Sequence, residues 1–299
     1  MSDAPLLPTA ARPALLWLAL VLVGGAWGAS QLFSKLIVSA GHQPFGIAVA
    51  SNGLAAALTT AVMLATGRRL PLTRRHLVFY AVCGLTGTAL PNWLSYTGMR
   101  ELPVGIMAIV ISVVPITTFL GALLLRMDGA EPRRMLGLAC GAVAMLLLIV
   151  PEASLPEPED GAWVLLPILV GLSYTVENLF IAGSRPPDCD PLQTLTGLVW
   201  AALFMLAPAA AMTGSWMALD AGPAWPALAA MTLLHLGAYG GFVWLIGRGG
   251  PVFAAQVGYV VTLSGVFLGM AVLGERHSAW VWLSLALMLT GLALVRPRR

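Results

Sequence analysis

The chain has 299 residues, of which 59 % are hydrophobic and 10 % are charged, and its mean hydropathy is +0.86. Soluble domains carry about 25 % charged residues, so this composition excludes a single water-soluble core and indicates a protein with many membrane spans. The formal charge of +3 is carried by arginines in the predicted loops, and membrane topology explains it better than nucleic-acid binding does.

Ten apolar runs are long enough to cross a bilayer as helices, which takes about 18–25 residues. Short connections rich in glycine, proline and charge separate them and leave no room for a soluble domain. The runs are 14–39, 45–66, 77–99, 102–125, 133–150, 161–184, 192–214, 224–247, 251–273 and 278–296.

The fourth run has a counterpart later in the chain. At an offset of 148, Pro103, Val104, Val113, Phe119, Leu120, Gly121 and Leu125 recur as Pro251, Val252, Val261, Phe267, Leu268, Gly269 and Leu273. The acidic, proline-rich connection 151–160 divides the runs into two sets of five. Because five is odd, the second set enters the membrane from the opposite side, so we predict an all-α membrane protein with ten transmembrane helices in a five-plus-five inverted repeat.

The arginines predict the orientation of these spans. With the N-terminus inside, thirteen arginines lie on the inner side, and only Arg100 and Arg276 lie on the outer side. We therefore predict a bacterial inner-membrane protein with both termini cytoplasmic. The expected segments are cytoplasmic tails at 1–13 and 297–299, five-helix repeats at 14–150 and 161–296, and an extracytoplasmic linker at 151–160.

Inverted repeats are the architecture of secondary transporters, which bind their substrate near the bilayer midplane between the repeats. Exchange of conformation between the two halves would open such a site alternately to each side of the membrane. A repeat could instead be kept only as the scaffold of an intramembrane enzyme, a lipid-handling protein or a receptor, and a passive facilitator is a third alternative.

Several short motifs resemble one known family. They are Trp27-Gly28 with Lys35 in the first run, Pro44 before the second, the paired segments 103–125 and 251–273, and Leu273-Gly274-Glu275-Arg276 before the last run. With them the chain resembles the EamA-type branch of the drug/metabolite transporter superfamily. The resemblance implies a transporter of amino acids or related metabolites, more often an exporter than an importer.

The chain departs from the family pattern at two points. The family often has an Arg eight or nine residues after the position of Pro44, where this chain has Asn52 and Gly53, and this departure bears on the charge of the substrate. The first half also reads Arg126-Met127-Asp128 where the second reads Gly274-Glu275-Arg276.

Polar residues inside membrane helices are unfavourable and are functional candidates by default. A rise of about 1.5 Å per residue places a band of them near the midplane, with His235 closest to it and others within about a turn or two. We expect these side chains to line a ligand pocket, although each could equally be an interhelical contact. The candidate substrate-binding residues are Trp27, Gln31, Asn52, Asn92, Tyr174, His235, Tyr239, Gln256 and Tyr259.

Two of the buried ionisable residues are candidates for proton coupling. Glu177 is the only carboxylate within an apolar run, and it could be a coupling proton site or a counter-ion for a cationic substrate. It could also be a structural group hydrogen-bonded across helices. His235 could relay protons or be a neutral histidine bonded between helices.

Lys35 is the only lysine in the chain and lies near the outer end of the first run. It could extend to the interface or bond to a neighbouring helix. A direct pair with Glu177 is not expected, because their estimated depths differ by about 20 Å.

The sequence contains no P-loop, HExxH or GxSxG motif, so we predict no ATP hydrolysis and no enzyme of these classes. Its three cysteines show neither disulfide nor metal-ligand spacing, and we predict no cofactor and no metal. We expect a transporter that moves a small polar or amphipathic metabolite by alternating access. Its partners would be that substrate and the lipid bilayer but no nucleic acid, and a monomer is sufficient although a dimer stays open.

Overall fold

The computed structural model describes residues 13–101, 107, 111, 113–129, 131–152, 163, 165–218, 222–273 and 279–295. Within these ranges all regular secondary structure is helical. Both predicted tails except Pro13, most of the 151–160 linker, and residues 274–276 lie outside the described residues. The all-α prediction is confirmed for the part of the chain that is described.

Twelve helical segments are numbered here in chain order. They are α1 Pro13–Ser39, α2 Pro44–Ala65, α3 Arg74–Gly84, α4 Leu90–Glu101, α5 Val114–Leu124, α6 Pro132–Glu152, α7 Leu165–Ser184, α8 Pro191–Thr213, α9 Ala224–Gly249, α10 Pro251–Ala255, α11 Val257–Leu273 and α12 Ala279–Leu294. A single turn of π-helix, Leu85–Ala89, joins α3 to α4 without interrupting the helical rod. At Gln256, between α10 and α11, the α-helix is interrupted for one residue.

Seven of the described helices are long and apolar enough to cross a membrane by length and composition. They are Pro13–Ser39, Pro44–Ala65, Arg74–Glu101, Leu165–Ser184, Pro191–Thr213, Ala224–Gly249 and Pro251–Val272. The other three predicted spans, 102–125, 133–150 and 278–296, overlap α5, α6 and α12. A multi-pass helical membrane protein is therefore established, while the count of ten spans and the inverted repeat stay predictions.

Local sequence signals explain where several helices begin and end. Proline occupies one of the first two positions of α2, α5, α8 and α10, where its missing N–H group would have no helical partner. Asp190 caps α8 through a capping box: its carboxylate accepts from the Gln193 amide while the Gln193 side chain accepts from the Asp190 amide. The helix ends at Gly214, whose φ of 63° is accessible to glycine without strain.

Helices of the first predicted half pack directly against helices of the second. Helix α1 lies against α9 and α11, and α2 lies against α8. Gly24 and Gly28 allow α1 to pack closely against α11: a side chain at either position would meet Val260 or Ser264. Helices α2, α4, α8 and α9 surround a common interior space.

We expect Gly28→Ala to destabilise the fold. Its added methyl group would lie 2.5 Å from the Ser264 Cβ atom and 3.1 Å from the Val261 carbonyl oxygen, and overpacking of this kind lowers the free energy of unfolding by about 1–3 kcal/mol. Gly25→Ala is the control, because nothing lies within 4 Å of its added methyl group. Thermal unfolding in detergent should separate the two variants, and equal melting temperatures would contradict the packing argument.

Candidate functional site

A small cavity with both polar and apolar lining residues lies between α2, α4, α8 and α9, beside the π turn. Its volume of about 40 Å³ is room for a few water molecules. Leu195, Leu198 and Val199 of α8 form an apolar wall. The polar residues that line it are Ser51, Asn52, Thr88, Asn92, Tyr96, Thr232, His235 and Tyr239.

Four of the predicted substrate-binding residues meet at this cavity: Asn52, Asn92, His235 and Tyr239. His235 and Tyr239 are one turn apart on α9, so they share a face, as their spacing predicted. The Asn52 side-chain amide donates to the Ala48 carbonyl oxygen of its own helix at 2.8 Å, which leaves its side-chain oxygen as an acceptor for another group. Whether these residues bind substrate stays a prediction.

Trp27 of α1 packs against two residues of the cavity wall. Its ring packs edge-to-face against His235 at a centroid distance of 5.8 Å and against Tyr239 at 6.5 Å. Its indole nitrogen is buried and has no hydrogen-bond partner among the described residues. The Thr232 hydroxyl, in the cavity lining, is also buried without a partner in that part of the chain. Unsatisfied buried polar groups are uncommon, so both atoms are candidates for contact with water or a ligand.

Glu177 lies next to the cavity but not in its wall. Only 2 % of its surface is exposed, and its Oε1 atom accepts a hydrogen bond from the Tyr239 hydroxyl. Tyr239 therefore contacts the cavity and the buried acid at the same time. Tyr174 is one turn before Glu177 on α7 and is not among the residues that line the cavity.

The π turn Leu85–Ala89 lies on the other side of Glu177. A side chain at Gly87 would overlap the Glu177 carboxyl group, so the acid rests directly on the backbone of this turn. The carbonyl oxygen of Thr86 accepts from the Ser173 hydroxyl of α7 at 2.8 Å. Tyr239 and the turn together hold the carboxyl group in place.

The remaining predicted residues are placed elsewhere. Gln31 is half-buried on α1 and does not line the cavity. Gln256 is fully buried at the α10–α11 junction, where its amide donates to the Val252 carbonyl oxygen. Tyr259 is fully buried against α6 and α12, in a cluster with Ala144 and Met288, and its hydroxyl has no partner among the described residues.

Lys35 makes an interhelical contact, one of the two roles considered for it. Its ammonium group lies 3.5 Å from the Met99 carbonyl oxygen near the end of α4. Glu177 and Lys35 thus have separate partners, in agreement with the difference in depth estimated from the sequence.

Four polar residues of the cavity were missed by sequence reasoning: Ser51, Thr88, Tyr96 and Thr232. Thr88 and Tyr96 lie four residues before and after Asn92, and Thr232 precedes His235 by three residues, so helical spacing from the predicted residues could have found all three. Ser51 carries no comparable signal, because its hydroxyl bonds to its own helix, as serine commonly does in membranes.

One end of the assembly is held by polar contacts between the two predicted halves. Arg68 pairs with Asp190 at 2.7 Å, and His76 Nε2 lies 3.3 Å from an Asp188 carboxylate oxygen. The Gln193 side chain also donates to the Arg69 carbonyl oxygen at 2.9 Å. The connection between α2 and α3 is thereby joined to the connection between α7 and α8.

Long apolar helices that surround a small cavity, with a buried acid beside it, indicate a multi-pass membrane protein. The sequence pattern of the EamA-like transporter family matches residues 14–150 and again 161–296. The chain belongs to this family, and the resemblance to the drug/metabolite transporter superfamily is confirmed.

Individual relatives agree with this assignment. The chain is 26 % identical, over 90 % of its length and 86 % of theirs, to the uncharacterized inner membrane transporter YedA of Escherichia coli strains K12 and O157:H7. A solved crystal structure shares the fold, with a TM-score of 0.71 and 17 % identity over 95 % of this chain and 96 % of that one. The protein is a multi-pass inner-membrane transporter, for which a small-molecule substrate and a lipid environment follow.

We expect Tyr239→Phe to destabilise the protein by about 1–3 kcal/mol, because it leaves a buried carboxyl oxygen without its donor. A double-mutant cycle with Glu177→Leu should give a coupling energy of about 1 kcal/mol or more. Tyr259→Phe is the matched control: its hydroxyl has no partner in the described chain, so its removal should cause no loss. Reversible unfolding in mixed micelles measures all four variants, and equal losses for the two tyrosines would contradict the assignment.

Proposed function

We propose that this protein is a secondary active transporter that moves a small polar or amphipathic metabolite by alternating access around the central cavity. The observation that carries this proposal is that both segments matched by the family contribute residues to the cavity wall. Asn52 and Asn92 come from the first family match, and His235 and Tyr239 come from the second. Relative movement of the two matched segments would therefore reshape the site from both sides.

The size of the cavity supports a conformational cycle. About 40 Å³ is too small for a metabolite, so substrate entry requires α2, α4, α8 and α9 to separate. The Arg68–Asp190 and His76–Asp188 contacts close one end. With both termini cytoplasmic, as the arginine distribution predicts, that end faces the cytoplasm, and these contacts must break for the cavity to open there.

The cavity wall favours a substrate without a large net charge. None of the described residues that line it is Asp, Glu, Lys or Arg, and a strongly anionic or cationic ligand would be desolvated there without an opposite charge from this part of the chain. Amide and hydroxyl groups can orient a polar group while Leu195, Leu198 and Val199 contact an apolar part. An amino acid or a neutral relative of one satisfies both requirements, with export as the favoured direction.

The Tyr239–Glu177 hydrogen bond supports proton coupling. A ligand that contacts Tyr239 can change the hydrogen bond that the Tyr239 hydroxyl donates to Glu177. It would thereby alter how readily Glu177 binds a proton. His235, beside Tyr239 in the wall, is a second candidate for proton relay. We retain the ten-helix inverted repeat, the boundaries at 14–150 and 161–296, and a monomer as a sufficient unit.

A thermal-stability screen tests the substrate class. We expect amino acids or neutral amphipathic compounds to raise the melting temperature of the purified protein, since binding to the native state stabilises it by mass action. Asn52→Leu and Thr232→Val should abolish the shift, whereas Gln31→Ala, outside the cavity wall, should keep it. Stabilisation only by strongly anionic compounds, such as nucleotide sugars, would overturn the substrate class.

Proton coupling predicts that Glu177→Gln makes transport independent of pH. The amide keeps an acceptor for Tyr239 but cannot exchange a proton, so flux of a screened substrate into liposomes should no longer differ between pH 6 and pH 8. Tyr259→Phe should keep the pH dependence of the unmodified protein. Full pH dependence in Glu177→Gln would show that this acid is not the coupling site, and transport without any dependence on a proton gradient would favour a passive facilitator.

A further inference from the structure

The π turn between α3 and α4 has an identifiable cause in the sequence. The Leu90 amide donates to the Leu85 carbonyl oxygen, five residues back, and Pro91 follows immediately. Proline has no amide hydrogen and its ring collides with the carbonyl group four residues earlier, which is that of Gly87. Widening the helix by one residue relieves this collision, and π turns of this kind are frequent at functional sites.

Three consecutive residues of the turn contact three different parts of the protein. Thr86 accepts the Ser173 hydroxyl through its carbonyl oxygen at 2.8 Å, Gly87 faces the Glu177 carboxyl group, and Thr88 lines the cavity. Ser173 is one helical turn before Glu177 on α7, so both residues of that face meet the turn. The cavity and the acid are therefore separated by the width of one peptide segment.

We propose that this π turn couples the cavity to Glu177, with Gly87 as the positioning residue for the acid. The inference rests on the proposed function, in which Glu177 carries the coupling proton. A substrate that contacts Thr88 moves the turn, and the turn moves the surface on which the carboxyl group rests. Tyr239 provides one link between ligand and acid, and the turn provides a second link from the opposite side.

Other features of the site agree with a positioning role. Glu177 has no room to withdraw from the turn while it remains bonded to Tyr239, because it is almost fully buried. The Thr86–Ser173 bond fixes the height of α7 relative to the turn, so displacement of the turn is transmitted to α7. The titratable groups that face Glu177 in the described residues are Tyr239 of α9, Cys83 of α3 and Tyr174 of α7.

Gly87→Ala tests the proposal, because its methyl group would displace the carboxyl group. In liposomes loaded with a substrate found by the stability screen, we expect flux to lose its difference between pH 6 and pH 8. Gly25→Ala, a glycine in open space on α1, should retain that difference. Shortening the acid in Gly87→Ala/Glu177→Asp should restore part of it, since the shorter side chain leaves room for the methyl group.

Ser173→Ala provides a second test if Gly87→Ala does not fold. It removes the bond to Thr86 without touching the acid, and we expect a weaker pH dependence. Glu177→Gln separates the possible failures. If Glu177→Gln retains full pH dependence, the proposed coupling site is wrong; if Glu177→Gln loses it while Gly87→Ala and Ser173→Ala retain it, only the role of the turn is wrong.

Discussion

Glu177 can be buried among membrane helices only because its surroundings give the carboxyl group a donor and a fitted space. An unpaired polar group in such an interior costs several kcal/mol. Here the Tyr239 hydroxyl supplies the hydrogen bond, and Gly87 leaves the volume that any side chain would occupy. Three helices, α3, α7 and α9, must keep their relative heights for both conditions to hold, so the polar centre constrains the packing around it.

Other buried polar groups in this protein differ from Glu177 in their surroundings. Tyr259 is as deeply buried as Glu177, yet its hydroxyl has no partner among the described residues and its neighbours are apolar. Tyr239, in contrast, contacts both the cavity and a carboxyl group. Burial alone therefore does not distinguish Tyr239 from Tyr259; contact with both the cavity and the acid does.

Helix positions could be predicted from the sequence because a bilayer imposes a length on every apolar run, and the helix ends among the described residues agree within a few residues. The start of the run 102–125 lies outside the described residues. The depth of a residue in the membrane could also be predicted, since it increases linearly along a helix. This was enough to select Asn52, Asn92, His235 and Tyr239, which line the cavity. The neighbour that a side chain faces could not be predicted, because it depends on how the helices pack against one another. Gln256 lies at a suitable depth but is not part of the cavity wall, while Tyr96 was missed although it lies in the wall. The π turn before Pro91 was also not predicted, although the proline that accounts for it is visible in the sequence.

The π turn also makes the length of this segment matter as much as its composition. It accommodates one residue more than an α-helix would, because its hydrogen bond closes over five residues where that of an α-helix closes over four. Loss of one residue from 85–89 would therefore restore regular α-helix and leave Asn92 and Tyr96 on the side of α4 that they now occupy. The wide turn on which the Glu177 carboxyl group rests would be lost instead, so a deletion here would change the surroundings of the acid without changing a residue of the cavity wall beyond the turn.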